Sequence, residues 1–383
     1  MPRMKIVIDA YQMAPHVTGT DRQARNVLRE LQLLDAANEY VVIVNERHPF
    51  VGAVVSAPNF TLAPLRIEKR ALWHLIGLPR LLRRERADVF FSFHNLMSPL
   101  VKNTRIVVSA LDLIPFLYQR TYYRGFVNRW VRRPIVLGIM TAATRLGDAF
   151  LANSHFTKET VAGRFGIDLD RIAVGQLQAE PVFFERHGRE RLDAVRRKYR
   201  LPERFVFCLG GSEPRKNAVS VIRGHHLLPE ALQRACPVVV GGARWQDTDF
   251  PVADDPLVRQ IGFVDDRDLP AVYALAAVFA CPSTYEGFGL PALEAMASGT
   301  PVLTSNTTSL PEAVGDAAVM VDPLDLAQIR DGLERLLTDQ ALRDDVVARG
   351  FRNAARFSWR QNAAVLRSLF ERVMTGGRPA PPG

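Results

Sequence analysis

Ten short apolar runs separated by helix-like segments constrain this chain more than any other feature. The first half carries KIVIDA (5–10), YVVIV (40–44), DVFFSF (88–93), RIVVSA (105–110) and DAFLAN (148–153). The second carries FVFCLGG (205–211), PVVVGG (237–242), VFACPS (278–283), PVLTS (301–305) and AVMV (318–321). Such runs read as strands buried on both faces, and strands of that kind alternating with helices build parallel sheets covered by helices on either side. The pattern restarts near 205, after the charged stretch ERHGRERLDAVRRKYRLPER (185–204). At 383 residues the chain also exceeds the usual size of one hydrophobic core. The expected fold class is therefore α/β, with two Rossmann-like, doubly wound domains over 1–185 and 205–360 and a linker over 186–204. A C-terminal helix over 361–374 is expected to return to the first domain, and the tail TGGRPAPPG (375–383) to be disordered. Ligands of such sheets bind beyond the carboxyl ends of the strands, so a cleft between two facing domains is the expected active site.

Composition removes several classes. Apolar runs such as VVIV (41–44) are far too short to cross a bilayer, and the start MPRMKIVIDA lacks the pattern of a signal peptide. Cys208, Cys236 and Cys281 lie in or beside strand-like runs without metal-ligand spacing, which fits buried free thiols in a reducing cytoplasm. Histidines show no metal-site spacing, and neither a G-x-S-x-G elbow nor a Walker A loop is present. The net charge of +9 is uneven: residues 1–195 hold 27 Lys/Arg against 18 Asp/Glu, and the rest 22 of each. The first half is thus expected to meet an acidic partner. Its basic character concentrates in LRIEKRALWHLIGLPRLLRRERAD (65–88) and QRTYYRGFVNRWVRRP (119–134), the latter with Tyr122, Phe126 and Trp130 at helical spacing. Arginines beside interfacial aromatics suit an anionic membrane surface; a packed aromatic stripe with solvated arginines fits the same letters.

Three stretches carry chemistry, each just after an expected strand. In STYEGFGLPALEAMASGTP (283–301), Pro291 suits the start of a helix that Gly299 and Pro301 end. Amides freed at Gly287 and Gly289 and at the helix start suit an anion or sugar hydroxyls, and Glu286 and Glu294 can line a ligand lying across that start. A plain strand–turn–helix with solvated glutamates accounts for the stretch equally well. In LGGSEPRKN (209–217) the glycine pair permits a tight turn, and Arg215 and Lys216 place two cations at a helix start, which suits a diphosphate held without a metal. Only 6 of the 49 basic residues are lysines, so a lysine here stands out; a surface turn with solvated cations remains the alternative. In HVTGTDRQARNVLREL (16–31) a lone glycine, Gly19, follows the first strand without the G-x-G-x-x-G fingerprint of dinucleotide enzymes.

Taken together these stretches resemble the group 1 retaining glycosyltransferases, a family with the two-domain GT-B fold. STYEGFGLPALEAMASGTPV shows that family's E-x7-E pattern and GGSEPRKN its phosphate turn, at a fitting distance. LDLIP (111–115), NSHFTKETVAGRFGIDLDRIAV (153–174) and IGFVDDRDLPAVYALA (261–276) match as well. The resemblance implies that Arg215 and Lys216 bind a donor diphosphate and that Glu294 holds the ribose hydroxyls. It implies that Glu286, with the turn Gly287, Phe288, Gly289 and Leu290, holds the donor sugar. Gly211 would lie at the phosphate turn, Phe263 and Val264 beside the base, and Gly19 and Thr20 would close over phosphate and sugar from the first domain. Where many members have His-Asp this chain has Leu111-Asp112; Asp112 remains a catalytic candidate, with His94 and His155 as further candidates near the same strand edge.

The resulting expectation is a cytoplasmic enzyme, peripheral on the inner face of the plasma membrane. It would move a hexose, mannose first, from a nucleotide diphosphate sugar to a lipid-linked glycan acceptor in polysaccharide or lipopolysaccharide assembly, with no metal or other cofactor. Rival readings are a soluble small-molecule acceptor, a nucleotide-sugar epimerase, or a non-catalytic RNA-binding protein, although no recognisable nucleic-acid module accompanies the charge.

Overall fold

The computed structural model describes residues 3–11, 18–48, 51–68, 72–94, 100–101, 103–110, 113–118, 130, 133–211, 213–242 and 255–376. Leu111 and Asp112, nearly all of the basic stretch 119–134, and the tail from 377 onward lie outside the described residues. Two compact units emerge: residues 1–177 together with 358–383, and residues 178–357. The second connection thus falls at 357/358 and the first at 177/178, earlier than a boundary at 185.

Unit 1 is built on a seven-stranded parallel sheet. Its strands are β1 (Lys5–Asp9), β2 (Glu39–Asn45), β3 (Phe60–Leu65), β4 (Val89–Ser92), β5 (Arg105–Ala110), β6 (Ala149–Ala152) and β7 (Ile172–Val174). They lie in the order β3-β2-β1-β4-β5-β6-β7. Unit 2 has six parallel strands: β8 (Val206–Leu209), β9 (Val238–Gly241), β10 (Val258–Gly262), β11 (Val278–Cys281), β12 (Val302–Ser305) and β13 (Val319–Val321), in the order β10-β9-β8-β11-β12-β13. The order reverses between β1 and β4 in one sheet and between β8 and β11 in the other, and it is beyond such reversals that open α/β sheets open a crevice for ligands. All ten expected strands form. Three more, β3, β7 and β10, are sheet edges.

The interior strands are buried because Val, Ile and Phe point to both faces. Ile6, Val7, Ile8, Phe90, Phe91 and Phe150 fill unit 1, and Val206, Phe207, Val238, Val278 and Phe279 fill unit 2. The helix Gly19–Leu34 opens with a capping box in which Asp21 N–H donates to Thr18 Oγ1 at 3.3 Å and Thr18 N–H to Asp21 Oδ2 at 2.9 Å. The helix Trp359–Thr375, capped by Ser358, packs against it. Asn362 Nδ2 donates to Gly175 O at 2.6 Å, Arg367 Nη1 donates to Leu34 O at 2.9 Å, and Phe370 sets its ring 5.9 Å from that of Phe91. The last helix is therefore a wall of unit 1.

The expected linker over 186–204 is largely helix, Arg189–Tyr199, and it belongs to unit 2. Val195 is buried there, and Lys198 and the Tyr199 hydroxyl bind Asp268 at 2.6 and 2.9 Å, with Arg191 on the same carboxylate. Burial would raise the Asp268 carboxyl, but these donors hold it below its ordinary range. A charged, low-hydropathy segment reads as a linker, yet a buried valine, the shared Asp268 carboxylate and the contacts of Lys198 and Tyr199 with Asp265 dock it. All three cysteines are buried free thiols, with burial pushing Cys236 up to about 11 and Cys281 up to about 12. Among the described residues no helix is long and apolar enough to cross a membrane.

Candidate functional site

Two loops meet at the reversal between β8 and β11. The first leaves β8 through Gly210 and Gly211, passes a short 3-10 turn, Pro214–Lys216, and enters the helix Ala218–His225. Gly210 is required: its φ is +99°, and a Cβ there would stand 2.8 Å from Lys216 Cγ. A second glycine pair closes on it. Gly242, at φ +116°, would place a Cβ 3.1 Å from Gly211 N, so the backbones after β8 and β9 touch with no room for side chains. The Gly241–Gly242 pair stands in the sequence in plain sight, but only its position after β9 reveals the role.

The second loop leaves β11 through Pro282, Ser283 and Thr284 and enters the helix Leu290–Ala297, with Gly289 at the N-cap and Pro291 in the first turn. Thr284 N–H donates to Arg215 O at 2.8 Å and Asn217 Nδ2 to Pro282 O at 3.0 Å, which ties the loops together. Gly289 has φ +112°, and a Cβ would stand 2.7 Å from Leu310 Cδ2. Gly289→Ala is expected to cost about 1–3 kcal/mol from backbone strain and this clash; an unchanged urea midpoint would show that the loop relaxes freely.

The side chains converge on Glu286. Lys216 Nζ donates to its Oε1 at 2.7 Å, Ser283 Oγ to the same oxygen at 2.9 Å, and Arg215 Nη1 lies 2.8 Å from Oε2. Arg215 also meets Glu213 through Nη2 at 2.7 Å and donates from Nη1 to Tyr285 O at 3.2 Å. The main chain of Glu286 is pinned too, its N–H donating to Thr308 Oγ1 at 3.3 Å and its carbonyl accepting from Ser309 Oγ at 2.9 Å. Glu286 is only 8% exposed. Burial alone would raise its carboxyl; Lys216 and Arg215, with the hydroxyl of Ser283, hold it down at about 2. It is a permanent anion near neutral pH.

Glu294 lies on the second turn of the same helix, 4% exposed, and its Oε2 accepts from the Tyr273 hydroxyl at 3.3 Å. Tyr273 is fully buried among Phe183, Phe207 and Phe279. The two glutamates are therefore anchored to different partners, Glu286 to cations and Glu294 to a phenol. Phe288 turns its ring into the core against Phe357, 5.5 Å away, which leaves its main chain for any ligand. Gly287 and Leu290 flank it in the turn. Val264 is buried, within reach of Gly241, whereas Phe263 beside it is 56% exposed.

In unit 1, Gly19 and Thr20 open the helix after β1, and among the described residues nothing beyond its chain neighbours and its own helix backbone lies within 4 Å of where a Gly19 Cβ would stand. His94 follows β4, its N–H donating to Ser92 Oγ at 3.2 Å. His155 is exposed at the start of the helix that follows β6. The structure thus gathers Arg215, Lys216 and Glu286 into one cluster, with Gly211 beside it and Glu294 on the adjoining helix. Sequence reasoning missed Glu213, Tyr273, Ser283, Thr308 and Ser309. Ser283, Glu213 and Tyr273 stand inside the stretches quoted above, where a small hydroxyl, a solvated charge and an apolar ring carry no signal of their own; Thr308 and Ser309 lie beyond them.

A set of cations and anions clustered beyond a sheet reversal, under two helix starts, is a place for a phosphorylated ligand bearing hydroxyls. The family model described as "Glycosyl transferases group 1" matches residues 193–353, and "Glycosyltransferase Family 4" matches residues 17–175. The chain is 38% identical over 216 residues to the O-antigen chain mannosyltransferase B of Escherichia coli, which covers 55% of this chain and 56% of that protein. It is 33% identical over 289 residues to the serotype-specific mannosyltransferase WbdA of Escherichia coli, 71% of this chain and 34% of that one. The chain therefore spans about half, or a third, of the length of these curated relatives. Among solved structures, WaaG, a glycosyltransferase involved in lipopolysaccharide biosynthesis, superposes with a TM-score of 0.70 over 97% of this chain and all of the other, at 17% identity.

Proposed function

We propose that the chain, whose two halves match the group 1 and family 4 glycosyltransferase models, is a group 1 glycosyltransferase of the GT-B fold and a retaining hexosyltransferase that takes mannose from a nucleotide diphosphate sugar. The observation that carries this reading is the Arg215–Lys216–Glu286 cluster at the β8/β11 reversal. Breaking the anomeric C–O bond leaves positive charge on the sugar and negative charge on the departing phosphate. Arg215 and Lys216 stand where that phosphate charge is stabilised without a metal. Glu286 and the main chain of Gly287 to Leu290 take the sugar, and Glu294, oriented by Tyr273, takes the ribose diol. In this mechanism the leaving phosphate accepts the acceptor's proton on the face it vacates, so the anomeric configuration is retained. Gly19 and Thr20 are proposed for the donor's phosphate and sugar, and Asp112, His94 and His155 as catalytic candidates.

The choice of mannose, and of a glycan acceptor in O-antigen-type polysaccharide assembly, is supported by the two Escherichia coli relatives, both mannosyltransferases and one of them of the O-antigen chain. The test is release of free nucleoside diphosphate from GDP-mannose, compared with UDP-glucose and UDP-galactose, in the presence of lipid-linked glycan acceptors. Release from a UDP-sugar alone would reassign the donor; no release from any would reject the activity.

A peripheral position on an anionic membrane is supported by the turn Trp73–Gly77 and the helix after it. Leu72, Leu75 and Ile76 are exposed there, next to exposed Arg80, Arg83 and Arg84. Apolar side chains flanked by arginines insert shallowly while the guanidinium groups meet lipid phosphates. The double variant Leu75→Ser, Ile76→Ser is expected to cut co-sedimentation with phosphatidylglycerol vesicles several-fold at low salt; unchanged binding would remove this surface from the reading.

A further inference from the structure

Residues 178–199, the first stretch of unit 2, grip residues 263–273 at both ends. The gripped stretch begins at Phe263, an exposed ring just after β10. It stands beside the phosphate turn: Gly242 N–H donates to Gly262 O at 2.7 Å, and Gly242 closes on Gly211. The stretch ends at Tyr273, whose hydroxyl donates to Glu294 at 3.3 Å. Between them, Asp268 caps the helix Leu269–Leu275. At the far end the grip is a ring, Phe183, centred 6.0 Å from Tyr273. At the near end it is the last turn of the helix Arg189–Tyr199. Lys198 Nζ donates to Asp268 Oδ2 at 2.6 Å, and Lys198 also meets Asp265. The Tyr199 hydroxyl donates to the same Asp268 oxygen at 2.9 Å and accepts from Asp265 N–H at 3.1 Å. Arg191 takes Asp268 Oδ1 and donates to Arg267 O at 3.0 Å.

The turn Asp265–Asp268 closes on its own backbone, with Asp268 N–H donating to Asp265 O at 2.8 Å. The side chains on it therefore fix its position rather than its shape. Lys198 and Arg191 are about half exposed, and ion pairs of that kind add little stability. A buried carboxylate shared by three donors does restrict motion. We infer that Asp268 is a positioning residue for the nucleoside end of the donor: the carboxylate through which the helix Arg189–Tyr199 sets where Phe263 stands. This rests on the donor-site reading above, with Phe263 and Val264 beside the base and Glu294 on the ribose. Without the clamp the stretch keeps its turn but not one position, and the base loses contact. The base takes no part in bond breaking and is held equally in ground and transition states, so the loss falls on KM and spares kcat.

The experiment measures donor KM and kcat by release of nucleoside diphosphate from GDP-mannose and UDP-glucose, with inhibition constants for GDP and UDP and thermal unfolding alongside. Asp268→Asn is expected to raise the donor KM by about fivefold to tenfold, to keep kcat within about twofold, and to narrow the ratio of the GDP and UDP constants. Asp148→Asn is the control. That carboxylate is equally buried and holds Arg105 at 3.1 Å and Ile106 N–H at 2.8 Å, at the amino ends of β5 and β6. It is expected to lower the unfolding temperature and to leave KM and the ratio alone, because loss of folded enzyme lowers only the apparent kcat. Should Asp268→Asn fold poorly, Tyr199→Phe removes one donor from the carboxylate and is expected to raise KM by about two- to threefold. Unchanged KM and ratio in Asp268→Asn, or an equal rise in Asp148→Asn, overturns the inference and leaves the donor site standing. No turnover of either donor by the wild type overturns the donor-site reading, and the inference with it.

Discussion

Lys216→Ala is expected to lower kcat by roughly 10²–10³, the loss seen when one preorganised donor to a developing anion is removed. The leaving phosphate gains charge as the glycosidic bond lengthens, so an ammonium beside it is worth more at the transition state than in the bound donor. The effect should therefore appear in kcat as well as in KM. The fold is expected to survive, because Glu286 retains Arg215 at 2.8 Å and Ser283 at 2.9 Å. Arginine is not a neutral replacement here: the stem of Lys216 lies against Gly210, and a planar fork presents its donors differently from a compact ammonium. Single-turnover rates with saturating donor provide the check, and near-normal turnover in the alanine variant would remove Lys216 from the mechanism.

Glu286→Leu is expected to be the most damaging single change to stability at this site. It strands Lys216 and deprives Arg215 of one of its two carboxylates, in a place where water has little access. A carboxyl held near 2 against an ordinary 4.5 corresponds to about 3 kcal/mol. In a unit of this size that lowers the unfolding midpoint by about 6–12 °C. The pH dependence has a definite sign. Because the folded carboxyl titrates lower than the unfolded one, its contribution is complete above about 4.5 and is lost as pH falls towards 2. The gap between wild type and Glu286→Leu should thus be constant near neutrality and close in acid. A gap that persists unchanged at pH 2.5 would mean that packing, not charge, accounts for the loss.

The interior of both sheets was legible because its strands are apolar on both faces, a pattern with few alternatives. The edges were not. FTLAPL (60–65) contains a proline and alternates exposure, RIAV is short, and VRQIG (258–262) is polar, since an edge strand has one side in water. The glutamates of the E-x7-E stretch and the Arg-Lys turn were legible as chemistry, but their mutual pairing was not. They stand 70 residues apart in the chain, and only the adjacency of β8 and β11 brings them within 3 Å. The helix Arg189–Tyr199 reads as a linker because the residues that dock it, Asp265 and Asp268 among them, lie far downstream and it buries only one valine of its own.

The helix Trp359–Thr375 has a consequence for biosynthesis. It presses Leu366, Leu369 and Phe370 into unit 1, whose other residues all precede position 178. Between them the ribosome must make the whole of unit 2, which at roughly 5–20 residues per second takes about 10–40 s. During that interval the nascent first unit lacks a wall, including the Phe370 ring that meets Phe91. The later-made unit can finish folding before the earlier one, so chaperone demand should peak on the N-terminal half while the rest of the chain is being translated.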